Sequence, residues 1–232
     1  MILILRGHIR DSFNDDKLYN LIKSIYVSNP QLKIYIHTWN IIQNNISWRQ
    51  MMTIDRKVTN ETIYEYFRDL SHLIKQYRID DDSKIELIGN LEGKIGKGNA
   101  PIIGWKRYWY GKYKIIEWLK NEPFDRNECI INCRFDILSN INSFSSDNIT
   151  NFIEKYKNKT IYKNIFSIGN EFTTLPVNQF VGIDNIYMGN IETQYKLIEH
   201  FHNNLDEILF ANSTISNQEH LVFYENNKLF LS

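Results

Sequence analysis

The sequence predicts an α/β fold with a mostly parallel central sheet flanked by helices. Three observations predict it. Short apolar runs of strand length alternate with amphipathic stretches of helical period along the first 137 residues. The runs at 2–5 and in the middle of 128–137 are apolar at consecutive positions, as in strands covered on both faces. No internal repeat and no linker divides the 232 residues, so one continuous domain is expected, with a parallel-type half at 1–137 and a mixed half at 138–232.

In chain order, residues 2–5 read as a buried strand ending at Arg6-Gly7. Residues 13–27 read as a helix, with Leu18, Leu21, Ile22 and Ile25 on one face, stopped by Asn29-Pro30. Residues 32–36 read as the second strand, ending in His37-Thr38-Trp39-Asn40, and 44–54 as a loop. Thr59 or Asn60 caps a helix over 63–74. Residues 84–88 read as the third strand, closed by Gly89-Asn90, and the glycine-rich stretch 93–104 as a loop. Residues 105–120 are helical in period, and 128–137 read as the fourth strand. A helix over 145–156, with Ser146 or Asp147 as its cap, precedes strand-like runs at 160–168 and 179–188. Helices at 191–203 and 217–224 end the chain.

Composition excludes several function classes. Hydrophobic residues make up 43% and charged residues 23%, which excludes a disordered chain. The 27 Lys and Arg balance 27 Asp and Glu, which argues against a broad nucleic-acid surface and leaves room only for a local phosphate pocket. The 36 Ile and 28 Asn read as the signature of an AT-rich genome; the Asn are scattered among apolar residues rather than run together, against disorder. Cys129 and Cys133 stand four apart in a strand, too extended to bridge, with no partner pair for zinc, and read as free thiols of a reducing compartment. No stretch reaches the length of a membrane span, and the five apolar residues at the start are too few for a signal peptide. A cytoplasmic location is expected.

Open α/β sheets bind ligands at the carboxyl ends of their strands, so the residues closing each strand carry the chemistry. Arg6-Gly7-His8-Ile9-Arg10 closes the first and has neither dinucleotide-binding nor P-loop spacing. Gly7 lets a ligand approach the backbone. Arg6 and Arg10 either grip phosphate oxygens or pair with Asp11, Asp15 and Asp16. Alternation places Arg134 and Asp136 on one face of the fourth strand, where Asp136 either holds a divalent cation or forms a buried pair with Arg134. The helix opening at Gly104 carries Lys106, Arg107 and Lys112 among tryptophans and tyrosines. This is either a core stripe or a surface for a base and phosphates, with Lys106 the best polar candidate. Asp184, at a turn beside a strand, is either a general base or an Asx-type turn, and Glu219 is a second acidic group of the carboxyl half. His8 lies in the first strand-end turn, while the other histidines show no metal spacing; no serine-nucleophile elbow is present.

The segments LRGHIRDSF, IYIHTWN, GWKRYWYGKYKII, RFDIL, NQFVGIDNIYMGN and NQEHLVFY, in that order, resemble small GT-A-type glycosyltransferases of capsule and lipopolysaccharide gene clusters and of large DNA viruses. The resemblance implies a GT-A-like, Rossmann-like fold and transfer of a sugar from a nucleotide-sugar donor to a glycan or other hydroxyl acceptor, in surface polysaccharide or glycoprotein glycan synthesis. It implies donor contacts from Arg6, Gly7, His8, Arg10, Lys106 and Arg134. Catalytic roles fall to Asp136 and Asp184, with Gly182 to Gly189 on the acceptor side. Arg134-Phe135-Asp136 stands where the family's D-x-D motif binds Mn²⁺ or Mg²⁺. Asp136 is then the metal ligand, or Arg134 supplies the charge and no metal is needed. The alternatives are a sugar nucleotidyltransferase and a catalytically inactive carbohydrate- or protein-binding module.

Overall fold

In the computed structural model, residues 1–46, 51–96, 98–123, 125–139, 144–166, 183–215 and 218–230 are described. Strand β1 (Ile2–Arg6) is buried along its whole length. Its side chains alternate between two cores: Leu3 and Leu5 enter one, Ile2 and Ile4 the other. That two-sided burial makes it the centre of the sheet. Helix α1 (Lys17–Ser28) follows, then β2 (Lys33–Trp39), which pairs parallel to β1. Strands β3 (Ile41–Gln43) and β4 (Ile54–Lys57) form a small antiparallel hairpin where the sequence predicts a loop.

Helix α2 (Asn60–Phe67) starts with Thr59 as cap in a reciprocal box with Thr62. It ends seven residues earlier than predicted, because Arg68 turns to φ 50° and the chain continues as a 3₁₀ segment, Arg68–Leu73. Strand β5 (Ile74–Asp80) then pairs parallel to β2. This corrects the third strand: residues 84–88 are irregular, and the strand lies ten residues earlier. As the edge of the sheet, β5 is only half-buried and needs no continuous apolar run.

Helix α3 (Ile102–Asn121) crosses back over the sheet to β6 (Ile130–Arg134), which pairs parallel to β1 on its other side. Helix α4 (Ser146–Tyr156), capped by Ser145, leads to the two-residue strand β7 (Ile165–Phe166). Strand β8 (Ile186–Gly189) runs antiparallel to both β6 and β7. Both late strands are shorter than predicted, and residues 167–182 lie outside the described residues. Helices α5 (Ile191–Ala211) and α6 (Gln218–Leu229) are longer than predicted and complete the fold.

The sheet order is β5-β2-β1-β6-β8-β7, so one sheet takes strands from both halves of the chain. Residues of α1, α2 and α4 line one core and residues of α3, α5 and α6 the other. The chain winds outward from β1 through β2 to β5 and returns to β6. The reversal point therefore lies between β1 and β6, where a crevice opens at the carboxyl ends of open α/β sheets. Cys129 and Cys133 are free and buried, and burial pushes both thiols up to about 12. No helix among the described residues is long and apolar enough to cross a membrane.

Candidate functional site

A cavity of ≈ 320 Å³ occupies that crevice. Its walls come from the turn after β1, the end of β2, the first turns of α3, the end of β6, the segment before β8, and the start of α6. Larger grooves exist, but they are more open; one of them, lined by Asn14, Ile42 and Arg56, adjoins the cavity at Arg10 and Asp136.

Arg6 ends β1 directly beside Arg134 of β6 in the parallel register. Two cations side by side need anionic or dipolar partners, and the fold supplies them. Arg6 donates from Nε to Asn132 Oδ1 and from Nη2 to the backbone carbonyl of Asp184, both at 2.5 Å. Its guanidinium lies 4.4 Å from the Tyr108 ring centre. Nη1 is buried without a hydrogen-bond partner among the described residues, although Arg6 is only 2% exposed. An orphaned, charged donor in the interior is costly unless a partner binds it.

Gly7 turns the chain at φ 95°, a conformation that only glycine adopts without strain, and a Cβ there would meet no protein atom within 4 Å. The turn is pinned by Thr38, whose hydroxyl donates to the Gly7 carbonyl at 2.9 Å. Arg10 adopts φ 55° and donates to Asp136 Oδ2. Strand β6 stops at Arg134, and Asp136 sits in a 3₁₀ turn (Phe135–Ser139) at φ −83°, ψ 25°. The two residues thus do not share a strand face by alternation; the turn brings the carboxylate back onto the guanidinium. Arg134 grips Asp136 with two bonds of 2.7 Å, from Nε and Nη2, and donates from Nη1 to Asn185 at 3.1 Å. Burial opposes ionisation of Asp136, but the charges of Arg134 and Arg10 outweigh it and hold the carboxyl at about 2.

That arrangement does not fit a divalent cation at Asp136. Both carboxylate oxygens face guanidinium groups, and the nearby charges are cationic. A hard cation needs several free oxygen donors. No group of three or more His, Cys, Asp or Glu among the described residues is placed to hold a metal.

Asp184 lines the cavity from the short 3₁₀ turn Ile183–Asn185, and its backbone carbonyl accepts from Arg6 and from Tyr108 Oη at 2.9 Å. His8 also lines the cavity. Lys106 does not. Its ammonium is bonded to the Ile88 carbonyl and to Asp206 at 2.8 Å, on the side of α3 that faces α5. Helical spacing presents Gly104, Arg107 and Tyr108 to the cavity instead. Arg107 is anchored to Asp82 through its carboxylate at 3.0 Å and its carbonyl at 2.7 Å. Lys112 is fully buried behind the floor, 3.9 Å from the Tyr108 ring centre, 4.0 Å from Trp109 and 4.8 Å from Tyr187. Burial first, then Arg6, drive its amine well below the ordinary lysine range.

The site therefore unites Arg6, Gly7, His8, Arg10, Arg134, Asp136 and Asp184, which the sequence singles out, and leaves Lys106 aside. It adds Trp39, Tyr108 and Asn185, which strand-end position and the 104-107-108 spacing point toward only once the helix face is known.

No family model matches the chain, and no curated protein matches it. Among solved structures it is similar to the galactosyltransferase LgtC in complex with donor and acceptor sugar analogues, at 10% identity and TM-score 0.38, covering 99% of this chain and 70% of that one. It is similar also to an active-site mutant of LgtC, at 10% identity and TM-score 0.36, covering 99% and 69%. At these values no residue role transfers from LgtC to this chain.

Proposed function

We propose that the cavity holds the diphosphate of a nucleotide-sugar donor, and that the protein is a glycosyltransferase moving the sugar to a hydroxyl of a glycan or other acceptor. One observation carries this reading: four arginines, Arg6, Arg10, Arg107 and Arg134, line one cavity at the carboxyl ends of the strands, with Trp39 and Trp105 also in its wall. Guanidinium forks match phosphate oxygens bidentately, and indole faces suit a base or sugar. The cavity volume falls in the small-ligand range of roughly 300–1,000 Å³. Charge grows on the leaving diphosphate as its bond to the sugar breaks, and fixed guanidinium groups stabilise it with little reorganisation. They stand where a metal would otherwise supply that charge. Asp184 is the general base for the acceptor hydroxyl, its backbone clamped by Arg6 and Tyr108. Surface polysaccharide or glycoprotein glycan synthesis is the role such an activity would serve.

Thermal denaturation with UDP, GDP or CMP, each with and without Mn²⁺, tests the reading. At least one nucleotide raises the melting temperature by several degrees without needing Mn²⁺. Asp184→Asn then keeps that shift and loses about 10²-fold in turnover of the matching nucleotide sugar. No shift with any nucleotide overturns the donor-site assignment and leaves a binding module of another kind. A shift seen only with Mn²⁺ overturns the metal-free site.

A further inference from the structure

His8 lies two residues beyond β1, and Trp39 covers its ring at 5.9 Å between centroids. Its Nε2 is buried without a hydrogen-bond partner among the described residues. The charged groups facing it come from three places: Arg10 in the same turn, Arg107 on α3, and Arg134 with Asp136 at the end of β6. Three cations against one carboxylate leave the ring in a positive field. Burial, then Arg10 and Arg107, push the imidazole down to about 3, so it is neutral in the free protein at ordinary pH. A dianion among the same arginines reverses that field. At about 4 Å, an added pair of negative charges raises an imidazole midpoint by roughly two to three pH units or more.

We propose that His8 takes up a proton when a phosphate-type dianion enters the cavity, so that anion binding and protonation of His8 are coupled. This inference rests on the reading of the cavity as a diphosphate site. The coupling is reciprocal: whatever favours the protonated ring tightens anion binding, so affinity rises as pH falls through the midpoint of the bound state and levels off at that of the free state. Protonation also turns a ring with an idle nitrogen into a second donor beside the guanidinium groups. Asp184, Glu219 and Tyr108 are further ionisable groups on the cavity wall, and comparison with His8→Asn separates their contribution.

Ring ¹⁵N shifts of histidine-labelled protein read the protonation state directly, with His8 assigned by its loss in His8→Asn or, should that variant not fold, in His8→Gln. The probes are inorganic sulfate, which stays a dianion between about pH 5 and about pH 8, and inorganic pyrophosphate. The His8 signal is expected to stay neutral down to about pH 5 in the free protein and to gain a midpoint at least about three pH units higher when either anion is saturating. Calorimetric affinity for sulfate rises at least ~10-fold from about pH 8 to about pH 5 in the wild type and less than ~3-fold in His8→Asn. Anion binding with a ring that stays neutral overturns the coupling and leaves the diphosphate reading standing. No binding of either anion overturns both.

Discussion

At the residue scale, the Arg10–Asp136–Arg134 group decides how the strand ends are used. Removing one member of a buried pair leaves an uncompensated charge and costs roughly 3–5 kcal/mol. Asp136→Asn is expected to lose stability of that order, read as a lower urea midpoint at unchanged slope. The pH dependence has a definite sign. The folded carboxyl sits at about 2, below its ordinary 3.8, so its contribution is complete above about 4 and is lost as pH falls toward 2. The shift corresponds to about 2 kcal/mol. Lys112 points the other way. Its amine is held among three aromatic rings with no hydrogen-bond partner among the described residues, so burying it opposes folding. Lys112→Met should leave stability unchanged or raise it by about 1 kcal/mol; a loss above about 2 kcal/mol in urea unfolding would show that the aromatic cage holds a stabilising cation.

At the element scale, α3 shows where local pattern stops informing. Its helical period is plain in the sequence, and the helix forms over Ile102–Asn121. The choice between Lys106 and Arg107 as the cavity residue depends on which face meets the sheet, and two adjacent residues stand about 100° apart around a helix. Gly111 fixes that rotation. A Cβ there would lie 2.6 Å from His37 Nδ1, and His37 is buried with its other nitrogen on Asp80 at 3.1 Å. Gly→Ala normally favours a helix by about 1 kcal/mol, but overpacking against a ring that cannot retreat costs about 1–3 kcal/mol. Gly111→Ala is therefore expected to destabilise, and a raised melting temperature would refute the contact. Strand β5 gives the opposite lesson. Its residues Ile74, Tyr77 and Ile79 only half-bury at a sheet edge, so the stretch lacks the apolar run that marks β1. The break at Arg68, a positive-φ residue that is not glycine, leaves no mark in the sequence.

At the scale of the whole molecule, the fold lowers the pKa of three histidines, one buried and two partly buried. Burial lowers His37; burial with Arg10 and Arg107 takes His8 to about 3; burial with Lys114 takes His202 to about 4. In the unfolded chain all three titrate near 6.5, so below that pH the unfolded state binds protons that the folded state refuses. Stability is then complete above about pH 6.5 and falls as pH drops toward 4, with a slope approaching two protons, or about 3 kcal/mol per pH unit, from His8 and His202, and His37 adds in the same direction. Urea midpoints between pH 7 and pH 4.5 measure it. A flat profile would mean that the three rings are solvated. Zero formal charge overall, 27 against 27, coexists with four arginines around one cavity. The balance of the whole chain therefore says little about the local field.

The sequence by itself determined the α/β class, the central buried strand, the parallel first half and the strand ends as the place where the polar and charged residues gather. All of these follow from short-range periodicity and from the few residues that close each strand. Only the tertiary structure decided that the third strand is β5, that Arg107 and Tyr108 rather than Lys106 face the cavity, and that Asp136 is gripped by two arginines instead of being free for a metal. Period and composition fix what a segment can bury. Which groups meet across the crevice depends on the rotation of α3 and the turn after β6, set by packing between residues distant in the chain.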